Sequence, residues 1–231
     1  MRRRIDCNMK KMMKSAVMTL AVLGALAAIP AKADTYTFTN DHCTGGCLPF
    51  SNLITVTQVG PASNNTVNVS VTGNFLFVST GAGGGPSFFW NLLGNPTISL
   101  TGLTAGWQLV STTAGSLAGD GFSGEMEYAV TCLNIAGGCT SGGGGGKAPP
   151  LSFNVVAAGL TPGTFTPASF NDPGGTPAND RAIFVADVLA NGNTGLVGAT
   201  ASTSSVPEPI SLSLVGGGLL ALGLFRKRFV A

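Results

Sequence analysis

The sequence predicts an all-β protein built on a single β-sandwich or jelly-roll-like domain, and three observations predict it. Short stretches in which apolar and polar residues alternate recur along residues 34–205. Turn-forming residues such as Asn191-Gly192-Asn193 separate these stretches. Glycine provides 29 of the 173 residues from 34 to 206, a density that disfavours long helices.

The strand signal is clearest in Asn52–Val59 and Thr66–Val71, where apolar and polar residues take opposite faces of the predicted strand. A right-handed β-helix is the alternative for such a chain, but the sequence has no fixed repeat period. Ten strands are predicted, at residues 52–59, 66–71, 74–79, 87–92, 97–103, 107–112, 125–132, 151–157, 181–190 and 195–200.

A targeting segment precedes the domain at residues 1–33. A basic flank is followed by the apolar run Ala16–Ile29 and then by a small-residue motif that includes Ala31 and Ala33. This arrangement is typical of a secretory signal peptide, cleaved so that the mature chain begins at Asp34. The expected partners are therefore the Sec translocon and signal peptidase.

A second membrane-directed segment occupies residues 206–231. Its apolar run, residues 210–225, would extend roughly 24 Å as a helix, which is just enough to span a bilayer with help from flanking basic side chains. The basic cluster behind it would stay in the cytoplasm, so residues 34–205 are predicted to lie outside the inner membrane. The residues that bracket the run are Pro207, Glu208, Pro209, Arg226, Lys227 and Arg228.

This order of a Pro-Glu-Pro triplet, a glycine-containing apolar helix and a basic cluster resembles the PEP-CTERM sorting signal of bacterial exported proteins. The resemblance implies a Gram-negative, exopolysaccharide-producing host and recognition by an exosortase, a membrane transpeptidase that cleaves near the triplet. It implies transient anchoring in the inner membrane, followed by release or transfer to the cell surface. Residues 41–47 and 193–195 also resemble parts of such surface proteins, without implying an activity.

The charge of the exported body excludes one class of partner. Residues 34–206 contain two cations, Lys147 and Arg181, against eight acidic residues, which gives a formal charge of −6. A protein that binds nucleic acid by neutralising phosphates needs a basic surface, so no nucleic-acid partner is expected.

The mature chain contains four cysteines in two close pairs, Cys43 with Cys47 and Cys132 with Cys139. In an oxidising compartment this pattern favours disulfides, and of the three connectivities we prefer these local pairs, since glycines between the cysteines let the chain fold back. Zinc bound by Asp41 and His42 with the first pair is the alternative. The spacing does not match a zinc half-site, so no metal ligand is predicted.

Catalysis is not predicted. His42 is the only histidine, and its place beside a probable disulfide disfavours a catalytic triad. The glycosidase candidates are Asp120, Glu125 and Glu127, of which the last two would lie about 7 Å apart on one strand face. A solvated strand face, with Met126 and Tyr128 buried behind it, is the commoner explanation of such a pair.

Two binding hypotheses remain open. Calcium could bind in the loops at residues 120–125, 171–172 and 179–180, although turn formation explains these acidic and amide residues equally well, and no cofactor is predicted. Trp90 and Trp107 could form a sugar-stacking platform, although aromatic residues of a sandwich more often lie in the core.

The sequence therefore predicts a non-enzymatic, exported protein of the cell surface or of an exopolysaccharide or biofilm matrix. A carbohydrate-binding module that uses Trp90 and Trp107 is the alternative. A secreted hydrolase that uses Glu125 or Glu127 is less favoured.

Overall fold

The computed structural model describes residues 33–79, 85–113, 117, 126–133, 139, 145–167, 182–200 and 202–205. They belong to one compact unit, Lys32–Val206. The described part contains strands and short 3-10 turns at Ala62–Asn64 and Pro162–Thr164, but no α-helix. In chain order the strands are β1 (Ala33–Tyr36), β2 (Asn40–Asp41), β3 (Asn52–Gln58), β4 (Thr66–Gly73), β5 (Leu76–Phe77), β6 (Phe88–Trp90), β7 (Ser99–Thr101), β8 (Trp107–Leu109), β9 (Tyr128–Cys132), β10 (Leu151–Val156), β11 (Phe184–Ala190), β12 (Asn193–Ala199) and β13 (Ser202–Ser205).

The strands form two sheets. The first sheet has the order β13-β1-β3-β4-β10-β7, and the second has the order β2-β12-β11-β6-β9-β8, with β5 also pairing with β11. Every one of these strand pairs is antiparallel. This confirms the predicted all-β class with two antiparallel sheets, as in a β-sandwich, and the parallel coils of a β-helix are absent from the described residues.

Strands β3 and β4 show how the alternating sequence produces the first sheet. Ile54 lies opposite Val71 and Val56 lies opposite Val69, and all four side chains are fully buried. Because successive strand residues point to opposite faces, the intervening threonine, serine and asparagine side chains lie on the outer face. One apolar face and one polar face result.

Aromatic side chains from both sheets fill the core between them. The ring of Phe153 in β10 lies 5.0 Å from that of Trp90 and 6.2 Å from that of Phe88, both in β6. Tyr36 of β1 meets Phe184 of β11 edge to face at 5.0 Å. These contacts join the inner faces of the two sheets, and large aromatic side chains contribute most of the buried area in such a core.

The second sheet is buried on both faces. Phe88 and Trp90 point into the core between the sheets, whereas Phe89 packs with Val185 and Leu196 in a separate apolar cluster on the opposite face. A strand that is covered on both sides needs no polar alternation. This is why β6 and much of β11 read as continuous apolar runs.

Candidate functional site

The two predicted processing points lie next to each other. β1 begins at Ala33, beside the predicted signal cleavage point, and β13 ends at Ser205, just before the predicted sorting segment. The two strands are antiparallel neighbours, with Asp34 opposite Ser205. The chain therefore enters and leaves the first sheet at the same end of adjacent strands.

The sorting residues themselves are outside the described residues, as are Ala31 and the predicted transmembrane helix at 210–225. Among the residues that the structure describes, no helix is long and apolar enough to cross a membrane. The residues outside the description are Pro207, Glu208, Pro209, Arg226, Lys227 and Arg228.

The cysteines pair as predicted. Cys43 is bonded to Cys47 and Cys132 to Cys139, with Cα atoms 5.6 Å apart in each pair. Gly45, within the first loop, has a φ of 89°, a backbone conformation that glycine adopts without strain. The glycine between the cysteines thus provides the reversal of the chain on which the prediction relied.

Asp41 organises the loop around the first disulfide. Its carboxylate accepts the backbone N–H groups of Cys43 at 2.9 Å, Cys47 at 2.7 Å and Leu48 at 2.7 Å. Burial opposes ionisation, but these three donors, with the nearby His42, outweigh it and hold the pKa of Asp41 below its ordinary value. The carboxylate therefore stabilises the loop backbone.

Three of the four possible zinc ligands come together, without His42, and in a form that does not suit zinc. The ligand atoms of Asp41, Cys43 and Cys47 lie within 4.8 Å of one another. The two sulfurs are joined in the disulfide, however, and zinc binds cysteine as a free thiolate. The cluster as it stands is a structural one.

Two segments about 150 residues apart in sequence form a clamp, defined here as the loop 41–49 against the β11–β12 hairpin. Asn191 donates its side-chain amide to the carbonyl of Cys47 at 2.7 Å, and Asn193 donates to that of Gly46 at 2.7 Å. A Cβ atom at Gly195 would lie 2.6 Å from the Cα of Cys43. The clamp therefore brings together residues 41–47 and 193–195, and its contacts are structural.

The tryptophan platform, left open as an alternative to core packing, is wrong. Trp90 is fully buried and Trp107 is 7% exposed. The ring of Trp90 stacks on that of Tyr128 at 6.0 Å, and Trp107 meets Phe77 edge to face at 4.9 Å. Both indoles are core side chains, because the strands that carry them turn these positions toward the other sheet, and neither offers a surface to a sugar.

The expectation of a solvated Glu127 is also wrong. Its side chain is 5% exposed and accepts the backbone N–H of Leu92 at 3.1 Å, while its own N–H donates to Asn91 at 2.9 Å. Burial raises the pKa of Glu127, although the hydrogen bonds from Leu92 and the Asn95 side chain act in the opposite direction. Glu127 thus fastens the 91–95 loop to the start of β9.

The other candidate acidic residues, Asp120 and Glu125, lie outside the described residues, and with Glu125 so does its expected pairing with Glu127. The same is true of the possible calcium loops at 120–125, 171–172 and 179–180.

An open depression of about 500 Å³ lies near the clamp. Its lining is mainly apolar, and none of the lining residues has a titratable side chain, so it has no group for acid–base catalysis. The lining residues are Gly73, Asn74, Phe75, Leu76, Ala148, Leu189, Ala190, Asn191 and Gly192.

The outer face of the first sheet contains two continuous rows of hydroxyl and amide side chains, which we call the polar rows. The residues of each row are register partners on adjacent strands. One row runs across Thr35, Thr55, Ser70 and Ser152, and the other across Thr57, Asn68, Asn154 and Thr101. Sequence reasoning missed these rows because the strand order cannot be read from the alternation.

Comparisons with models of protein families, with curated proteins and with solved structures find no match.

Proposed function

We propose that the protein is a non-enzymatic component of the cell surface or extracellular matrix. It is exported through the Sec route, held briefly in the inner membrane by residues 206–231, and processed there by an exosortase. The surrounding matrix is an exopolysaccharide or biofilm layer.

The observation that carries the proposal is the pairing of all four body cysteines in disulfides. Disulfides persist in oxidising compartments and are rare in the reducing cytosol. Cys132 and Cys139 are both buried, so their bond is an integral part of the fold. This supports export, which is the first step of the proposed route.

The neighbouring ends of the domain support the second step. The register of Asp34 with Ser205 puts the two described chain ends, to which the predicted signal peptide and sorting segment would attach, at one end of the first sheet. A domain attached to the membrane by both segments needs both chain ends on the side that faces the membrane. Cleavage after Ala33 and within the 206–231 segment would then free the sandwich with Asp34–Tyr36 of β1 and the whole of β13 in place.

The test compares tail processing in hosts with and without the exosortase. Mass spectrometry of the full-length gene product should show loss of the apolar tail only when the enzyme is present. Glu208→Ala combined with Pro209→Ala should block this loss, whereas Thr44→Val, an exposed loop substitution, should not. Intact tails of equal mass in both strains would overturn the proposed route.

A further inference from the structure

The polar rows form a surface without charge. The eight side chains of the two rows are hydroxyls and amides, and no acidic or basic residue is among them. Asp34, the charged residue of β1, pairs with the inward-facing Val56 and so belongs to the other face. A partner of this surface would gain nothing from ionic attraction.

The two asparagines at the centre of the surface are held in place by their neighbours. Asn68 donates to the side-chain oxygen of Asn154 at 2.9 Å and to the hydroxyl of Ser152 at 3.3 Å. Asn154 in turn donates to the hydroxyl of Thr101 at 3.5 Å. Side chains that are already oriented lose less conformational entropy when a ligand binds.

The chemistry and spacing of the surface select its partner. Adjacent strands lie about 4.8 Å apart, so a chain laid along one row meets a hydroxyl or amide at each such interval, which is comparable to the length of one sugar residue. Hydroxyl groups on the partner can both donate to and accept from these side chains. An apolar partner would leave them unpaired, which disfavours its binding.

We propose that the polar rows bind an uncharged polysaccharide, with the glycan chain lying across β1, β3, β4 and β10. This rests on the proposed function, because it takes the matrix around the protein as the source of the ligand. The proposed site of contact is this hydrogen-bonding face and not Trp90 or Trp107, because both tryptophans are buried.

The experiment uses mature protein purified from a host that expresses the full-length gene. Migration is measured in native gels that contain hydroxyethylcellulose or the neutral fraction of the host's own exopolysaccharide, with the polyanion alginate in parallel gels. The wild-type protein should be retarded by at least one neutral polymer and not by alginate. Retardation should persist at 0.5 M NaCl, since salt screens only ionic attraction.

Two variants place the contact on the polar rows. Thr55→Val with Thr57→Val removes one hydroxyl from each row while preserving side-chain shape and strand propensity, and it should weaken binding about tenfold. Ser70→Glu places a charge at the centre of one row and should abolish binding. Thr44→Val is the matched control and should bind as the wild type does. Circular dichroism of each variant establishes that it is folded.

Each outcome decides the proposal. No retardation of the wild-type protein by either neutral polymer overturns it, as does unchanged binding of the folded Thr55→Val, Thr57→Val variant. Self-association that Ser70→Glu abolishes, without any effect on glycan binding, would assign the face to a second copy instead. Tail processing is measured separately, so a protein that is correctly processed but does not bind glycan would contradict only this inference.

Discussion

At the scale of single residues, two carboxylates show how the surroundings decide the role of an acidic side chain. Asp41 accepts three backbone N–H groups, and its pKa lies below the ordinary value despite partial burial. Glu127 accepts fewer donors in a buried position, and its pKa is raised. The difference follows from the deeper burial of Glu127 and from the smaller number of donors that compensate for its lost hydration. Neither carboxylate requires a catalytic explanation.

The raised pKa of Glu127 predicts a pH dependence of stability. The Glu127 carboxyl group keeps its proton to a higher pH in the folded protein than in the unfolded chain. The contribution of Glu127 to the free energy of unfolding is therefore fully present below the ordinary glutamate pKa, and it falls as pH rises through the raised pKa of the folded state. Glu127→Gln cannot titrate, although its amide oxygen can still accept from Leu92. In urea unfolding from pH 4 to pH 7, the variant should gain stability relative to the wild type as pH rises.

Asp34→Asn is the control for the loss of one negative charge. Asp34 is only half-buried in β1, and its substitution should not reproduce the pH-dependent gain in stability expected of Glu127→Gln. A constant difference between Glu127→Gln and the wild type across the pH range would contradict the assignment.

At the scale of elements, the clamp shows how a tight contact between backbones fixes the identity of a residue. Gly195 lies close to the backbone of the loop. A Cβ atom at this position would lie 2.6 Å from the Cα of Cys43 and 3.1 Å from the carbonyl oxygen of His42. Backbone atoms at these distances cannot move away as a flexible side chain could. Gly192, at the tip of the same hairpin, has a φ of 80° and open space around it.

Alanine substitutions at Gly195 and Gly192 should show how much the close backbone approach at Gly195 adds to the cost of a positive φ. Gly195→Ala should lower the free energy of unfolding by about 3 kcal/mol, because its φ of 153° disfavours alanine and the loop of the clamp must also shift to admit the new methyl group. Gly192→Ala should cost about 1 kcal/mol, since it meets only the left-handed backbone penalty. The urea midpoints of the two variants check this order, and equal midpoints would mean that the close approach at Gly195 has no energetic weight.

The elements that were predictable from the sequence are those whose pattern is local. All ten predicted strand segments overlap an observed strand, because alternation or an apolar run is visible within each. β1, β2 and β13 were not predicted. Ser202–Ser205 contains no apolar residue, and it becomes a strand through its pairing with β1. β2, with two residues, depends in the same way on β12.

The same division applies to the candidate site residues. The cysteine pairs were predictable because the intervening glycines are local. The burial of Trp90 depends on the position of β6 in a sheet that is covered on both faces. The burial of Glu127 depends on the 91–95 loop, which comes from more than thirty residues earlier in the chain. Neither the packing around Trp90 nor the loop contact of Glu127 can be predicted from the spacing of residues in the sequence.

At the scale of the whole molecule, charge is scarce. The described residues include five acidic or basic side chains apart from histidine, and two of the four carboxylates are buried. The five residues are Asp34, Asp41, Glu127, Lys147 and Asp187. The described part of the surface therefore carries few charged groups, which favours contacts that do not depend on salt.

The neighbouring chain ends make a further prediction about the whole domain. Because Asp34 and Ser205 are antiparallel partners, a two-residue Asn-Gly turn should join them as a β-hairpin. A circular permutant that begins at Pro61, runs to Ser205, continues through Asn-Gly to Asp34 and ends at Gly60 should therefore fold. Gly60 and Pro61 are exposed, so the chain can be opened between them. The free energy of unfolding should stay within about 1 kcal/mol of that of the linear 34–205 domain, because the loop that is closed and the loop that is opened have similar closure entropies.

Circular dichroism and urea unfolding of both proteins, produced in an oxidising compartment, check this prediction. A second permutant with the same opening and a long flexible Gly/Ser linker controls for damage to the β3–β4 turn. If only the long-linker permutant folds, the two ends are farther apart than the β1–β13 register requires. Because the proposed processing route relies on the same register, that result would also remove the support that the neighbouring ends give to attachment at one end of the domain.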